Sequence, residues 1–344
     1  MQPASEIAPQ SRQILIRKKH SDESPGQAHG ENCPLRPEHY LAGFHPTGTI
    51  GVFGAAAACS HLLRLNEVQV RCALGIAGSL AAGLRANRGT MTKALNAGRA
   101  AENGVLAAAL AAGGFSASKN IFEDPMGFFS AAARNKADGR LLSFGRPYFF
   151  LAPGIAIKAY PCPVVLHPVL DAVLDLVRRY DIDPQNIRRI TIGMGPRSAA
   201  PLVYSRPQNG MQAKFSLPFS VAAAATERRV GLEQYQDEKI RERRIQSLMK
   251  RVEVQPNSRL DGGSEGAAPA RLEILLQDGT RHRTKTTWSS GHPKKPLSRQ
   301  SLEEKFRECA RSSLDGKKSR RVIQAVWSVE SLPSIAGLIG LIKG

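Results

Sequence analysis

A mainly helical domain carrying an inserted α+β domain is the fold class that the sequence predicts. Ala- and Gly-rich helical segments dominate from residue 44 to about residue 112. Alternating strand patterns interspersed with helices fill the middle of the chain, and helical periodicity returns after Ser298. That order, helical then α+β then helical, places one domain inside the other. The 344 residues are ample for two domains with real cores. A content of 42% hydrophobic and 22% charged residues excludes a mainly disordered chain. The expected organisation is a polar tail over 1–36, a helical domain over 37–155, an α+β domain over 156–291, and a return to the helical domain over 292–344.

Taken in order, the tail carries no sustained apolar period. Helices are predicted from about Pro46 to Leu63, from Glu67 to Leu84 and from Ala97 to Ala112. Asn96 serves as N-cap of the third, and Gly113-Gly114 as its stop. Small residues on every face imply close packing. A Pro- and aromatic-rich crossover begins near residue 145. His167 to Tyr180 reads as an amphipathic helix, and Ile187 to Met194 as a strand. Phe219–Thr226 and Lys239–Met249 are helical. Arg251–Val254 and Ala270–Leu276 are strands, with a Gly/Ser-rich loop over 256–269 between them. Asp278-Gly279 turns the chain into a strand over 283–287. Helices follow at Leu302–Ser312 and Arg320–Leu332. The apolar end, SLPSIAGLIGLIKG, is expected as a buried helix because it is too short to span a bilayer.

The chain carries a formal charge of +19, spread along its length and densest at Lys317-Lys318-Ser319-Arg320-Arg321. Aromatics are only 6% and do not interleave with the basic residues, which argues against a nucleic-acid stacking surface. An anionic small substrate accounts for the charge as well. No apolar leader or membrane span is expected. Five cysteines, without a CxxC pair, argue against a disulfide framework or zinc site and favour a reducing, cytoplasmic location.

Several polar residues are candidates for chemistry. His45 precedes Pro46, so it lies at a helix N-terminus, where the amides of Thr47, Gly48 and Thr49 could receive a carboxylate. The helix dipole favours its neutral form; a capping histidine is the alternative. Lys93, in the polar run from Asn87 to Thr92, could neutralise a substrate carboxylate or be a solvated loop lysine. Lys158 sits at the domain junction. His167 begins a helix and suits capping or catalysis. Tyr204, Arg206 and Lys214 lie on a loop before a helix, where Arg206 could clamp a carboxylate. There is no P-loop, Rossmann fingerprint, HExxH or GxSxG.

GFHPTGTIGVFGAAAA, the run ALGIAGSLAAGLRANRGTMTKALNAGRAAENGVLAA, KAYPCPVVLHPVLDA, AKFSLPFSVAAA and KPLSRQSLEEKFRECA, in that order, resemble the MmgE/PrpD family. The resemblance covers roughly residues 37–344. It implies a helical domain with an α+β lid, a homodimer, no metal or organic cofactor, and a cleft for small di- or tricarboxylic acids. The family's reactions include 2-methylcitrate dehydration, cis-aconitate decarboxylation and iminodisuccinate epimerisation. By position, the resemblance puts His45, Lys93 and Lys158 in the catalytic cleft. Asn87, Thr92, Tyr204, Arg206 and Lys214 are expected to bind substrate.

Three departures accompany it. The family's N-terminal helices, with an Asp and a His, have no match in the first 36 residues. Ala94-Leu95-Asn96 stands where the family often has Pro-Leu-His. Pro163 replaces a histidine, and His167 lies one turn further on. The implied function is 2methylcitrate dehydratase-like loss of water through a carbanion-like intermediate. The alternative is an N-terminally truncated, inactive paralogue acting as a partner subunit.

Overall fold

The computed structural model describes residues 36–133, 148, 150–261 and 268–342. Most of the expected tail, the start of the crossover and residues 262–267 of the Gly/Ser-rich loop therefore lie outside the described residues. The chain divides into two compact units, one within residues 1–148 and one within 149–262 and 267–344.

The first unit is helical. Arg36–Leu41 (α1) and the single turn Pro46–Thr49 precede Gly51–Leu62 (α2), Glu67–Ser79 (α3), Met91–Ala112 (α4) and Phe128–Ala133 (α5). Asn66 starts α3 with a capping box: its side chain accepts from the Gln69 amide while Gln69 reaches back to the Asn66 amide. The alanines let helices approach closely. A Cβ on Gly104 of α4 would fall 2.4 Å from the Ala55 Cβ and 2.7 Å from the Ala56 nitrogen of α2. Val52, Phe53, Ala56, Ala73, Ile76 and Ala107 form the centre of this core. Phe53 packs edge-on to Phe128. Because backbone cannot retreat, Gly104→Ala is expected to lower stability by about 1–3 kcal/mol, read as a drop in melting temperature.

Three of the expected helices differ here. The helix from Pro46 is interrupted at Ile50, and α3 ends at Ser79 rather than Leu84, ahead of Gly83 in a left-handed conformation (φ +134°). The third helix begins at Met91, six residues before Ala97. Thr90 is its N-cap residue, and Asn96 lies inside the helix.

The second unit is built on one sheet. Ile187–Met194 (β1) pairs in parallel with Val252–Pro256 (β2) and antiparallel with Ala270–Leu276 (β3), which pairs with Arg281–Thr286 (β4). The order is β2-β1-β3-β4. The parallel pair requires a crossover, which Leu217–Glu227 (α7) and Arg243–Met249 (α8) supply. His167–Arg179 (α6) runs ahead of β1. Ile190, Ile192, Met194, Leu272 and Ile274 are buried in one core with Val169, Leu170 and Val173 of α6 and Phe219 and Ala222 of α7. The expected Lys239–Met249 helix is broken at Arg241-Glu242, leaving the turn Asp237–Ile240 and α8. Gly279 (φ +90°) makes the β3–β4 turn as expected.

Arg299–Ala310 (α9), Gly316–Trp327 (α10) and Ile335–Ile342 (α11) follow. Residues 292–344, assigned from sequence to the helical domain, group here with the sheet. One tie is Glu308 of α9, whose carboxylate accepts from the Leu232 amide at 2.6 Å and lies 3.6 Å from Arg229. The expectation of a buried terminal helix is corrected: α11 packs along α10 and has no buried residue, and Ile335 is 55% exposed. One neighbouring helix covers one stripe and leaves the rest of an all-apolar helix uncovered. Among the described residues no helix is long and apolar enough to cross a membrane.

Candidate functional site

His45 is held in the first unit by backbone. Its amide donates to the Gly83 carbonyl at 3.0 Å, and the Arg85 amide donates to the Gly43 carbonyl at 2.8 Å. This clip needs glycine at residue 43, whose φ is +98°. His45 therefore sits as N-cap residue of the Pro46–Thr49 turn, with no side-chain cap bond. The expected open amides are corrected in part: Gly48 and Thr49 both donate to the His45 carbonyl.

The His45 ring points instead to α4. The Asn96 amide nitrogen lies 3.2 Å from His45 Nδ1 and donates to it, which leaves the proton of the neutral ring on Nε2. Burial first, then the charges of Lys93 and Arg85, hold the imidazole below its ordinary value. Lys93 and Asn96 are three residues apart on α4 and share a face. The sequence reading took Asn96 as an N-cap, at a position where the family often has histidine, and missed its contact with His45 because it placed the helix start too late; the Thr90 cap and the i, i+3 spacing were the available signal. Asn87 is half-buried, and its carbonyl accepts from the Thr90 amide and hydroxyl. Thr92 is exposed on the first turn of α4.

A second cluster belongs to the second unit. Lys158 is exposed between two anchors. On one side the Ile157 amide donates to the Gly291 carbonyl at 2.8 Å. On the other, the Tyr160 hydroxyl donates to Asp171 at 2.5 Å. The buried Asp171 carboxylate also accepts from the Ser290 amide (2.7 Å) and hydroxyl (3.0 Å) and from Lys295 Nζ (2.8 Å). Gly291 is required, since a Cβ there would fall 1.8 Å from the Ile157 carbonyl oxygen. Burial, followed by the Asp171 charge, raises the Tyr160 hydroxyl far above its usual range, so it stays a donor.

His167 is 1% exposed, with Nε2 3.3 Å from the Cys162 carbonyl and its ring edge-on to Tyr160. It makes no side-chain cap on α6, which answers the capping alternative. Burial is the main cause of its depression to about 4. The folded state thus refuses a proton that an unfolded histidine accepts near 6.5. Stability is expected to fall as pH drops from about 6.5 to 4, by about 3 kcal/mol from this group. His167→Gln should flatten that part of a pH series of denaturant titrations.

Lys158 and Lys214 both act on the buried Cys162 thiol, opposing the burial that pushes it up to about 12, so they share its neighbourhood. Lys214 Nζ lies 4.0 Å from Met211 Sδ. Tyr204 is half-buried, its amide directed to the Phe215 carbonyl at 3.4 Å, and Arg206 is exposed. The structure therefore gathers His45, Lys93 and Asn96 in one unit, and Lys158, His167 and Lys214 in the other. No group of three or more His, Cys, Asp or Glu is arranged for a metal among the described residues.

Residues 31–139 match the MmgE/PrpD N-terminal domain and residues 160–330 the MmgE/PrpD C-terminal domain. The chain belongs to the MmgE/PrpD family. It is similar to the human cis-aconitate decarboxylase, with 28% identity over 88% of this chain and 63% of that protein. The Aspergillus terreus cis-aconitate decarboxylase is 26% identical over 88% of this chain and 65% of its own length. A cis-aconitate decarboxylase-like protein of Aspergillus oryzae is equally similar, at 26%. The chain thus spans somewhat less than two thirds of the length of these relatives.

Proposed function

We propose that this chain is a lyase acting on a small tricarboxylate. His45, Lys93 and Lys158 are its catalytic residues, and Asn87, Thr92, Tyr204, Arg206 and Lys214 bind substrate. The observation that carries this reading is the neutral His45 ring, oriented by Asn96, beside the Lys93 cation. A neutral imidazole with its proton on Nε2 can donate to a carboxylate that gathers charge in the transition state. Lys93 and Lys158 offset the substrate's ground-state charges.

The relatives' names favour decarboxylation. There the bond between carbon and one carboxyl group breaks and CO2 departs. The electron pair stays on the substrate, spread onto a neighbouring carboxylate, until a proton reaches carbon. Dehydration of a 2-methylcitrate-like acid reaches a similar anion: a base removes the proton beside a carboxylate, and hydroxide leaves with a proton from a general acid. Incubation with cis-aconitate or 2-methylcitrate, followed by proton NMR and CO2 trapping, separates the two. CO2 from cis-aconitate supports decarboxylation, and an unsaturated acid from 2-methylcitrate without CO2 supports dehydration. A folded chain that turns over neither removes the lyase reading.

A second reading is a partner subunit without turnover of its own. The exposed apolar side chains along α4 favour it: Met91 is 81% exposed, and Leu95 and Val105 are over half exposed. Such a stripe on a helix is a surface for association, with a second copy as homodimer or with another subunit. A monodisperse monomer by light scattering, with low binding of a hydrophobic dye, would count against both forms of association.

A further inference from the structure

We propose that the outer face of the second unit's sheet carries a phosphate-binding site formed by Arg271 and Lys285. Strand register divides the sheet into rows that alternate between faces. The inner rows hold Ile190, Ile192, Leu272 and Ile274 in the core. The outer rows line an open groove of about 700 Å³. Elsewhere on this face, acids partner the cations that line the groove. Glu273 pairs with Arg283 of its own row at 2.5 Å and with Arg281 of the next at 2.7 Å. Alongside, Arg189 lies 3.8 Å from Glu253.

The row through Gly193 has no such pair among the described residues. It reads Gln255, Gly193, Arg271, Lys285 across the four strands, with two cations and no acid. Arg271 and Lys285 are direct cross-strand neighbours, with Cβ atoms about 4.5–5.5 Å apart. Neither has an ion-pair partner among the described residues. Like charges placed so oppose sheet formation, and a dianion between them removes that opposition.

Gly193 is the second, independent observation. It sits inside a central strand, where glycine weakens the sheet and often marks a close approach of a ligand or another chain. Nothing local demands it: its φ is not positive, and a Cβ would meet the Arg271 Cβ and the Leu260 Cδ1 at an ordinary 3.5 Å. Without a side chain, Gly193 leaves its backbone in the groove lining beside Arg271 and Gln255. A guanidinium fork and an ammonium side by side, with an amide in the same row, suit a compact tetrahedral oxyanion. Among the described residues no aromatic lines the groove, so a stacked nucleic-acid base has no platform there.

The test is calorimetric titration of inorganic phosphate into the full chain, at pH 7.5 and at ionic strength held constant with sodium chloride. Saturable binding is expected, weakened at least tenfold by Arg271→Gln and by Lys285→Gln. Lys318→Gln, on α10, should leave it unchanged. Both groove variants should melt no lower than the parent in phosphate-free buffer, since each removes a like-charge neighbour. Should Arg271→Gln not fold, Lys285→Gln decides alone. No saturable heat, parent-like binding by the groove variants, or equal weakening by Lys318→Gln would overturn the site. Citrate binding as tightly, with the same dependence on Arg271, would overturn its assignment to phosphate. The outcome does not depend on whether the chain is a lyase.

Discussion

His45→Ala is expected to lower kcat on the tricarboxylate substrate by about 10²–10³-fold, the loss typical of a donor aimed at developing charge. The ring's tautomer depends on Asn96, so a second substitution tests the same geometry. Asn96→Ala leaves the imidazole in place but frees its proton to either nitrogen. A smaller fall in kcat is expected, about tenfold, with the fold intact. Because burial and the Lys93 charge keep His45 neutral, Lys93→Met should raise the pH at which the ring protonates. The acidic limb of the kcat profile then moves to higher pH. A His45→Ala chain that keeps parent kcat on the true substrate would remove His45 from the mechanism.

Asp171→Asn is expected to produce the largest loss of stability, about 2–4 kcal/mol in denaturant titrations. An amide keeps the shape of the carboxylate but not its charge. Lys295 loses its partner, and one of the atoms facing Tyr160 and Ser290 becomes a donor where an acceptor is needed. Lys158 lies between two anchors, and this change loosens the one at Tyr160. Substrate binding should weaken along with stability, raising KM. Ser290→Ala removes one bond and keeps the charge. It should cost about 1 kcal/mol or less and leave KM nearly unchanged. Equal effects of the two substitutions would show that Asp171 does no more than pack.

Strand periodicity made the sheet legible: Ile187–Met194 and Ala270–Leu276 alternate, and both were bounded correctly from sequence. The short helices Arg36–Leu41 and Phe128–Ala133 were not read, and the three long helices of the first unit were legible but not in their extent. Their signal is alanine, which is apolar enough for any face and marks no stripe, so periodicity could not set the start of α4. That one boundary put Asn96 at a cap and hid its contact with His45. His45 was readable at the head of a turn because Pro46 follows it. The engagement of Gly48 and Thr49 was not, since a single turn closed on its own cap carbonyl looks in sequence like the opening of a longer helix. Asp171 was invisible for another reason. Its partners, Ser290 and Lys295, lie 119 and 124 residues away, and no local pattern reports such a contact.

The strand order β2-β1-β3-β4 has a consequence for synthesis. β1 is central, yet both of its neighbours come later in the chain. From Met194 to the end of β3 at Leu276 the ribosome adds 82 residues (276 − 194). At the usual rates this takes about 4–16 s. Throughout that interval the apolar side chains Ile190 and Ile192 have no completed sheet to join. Arg188 and Arg189, near the start of β1, put charge on the nascent segment, which disfavours its pairing with another chain.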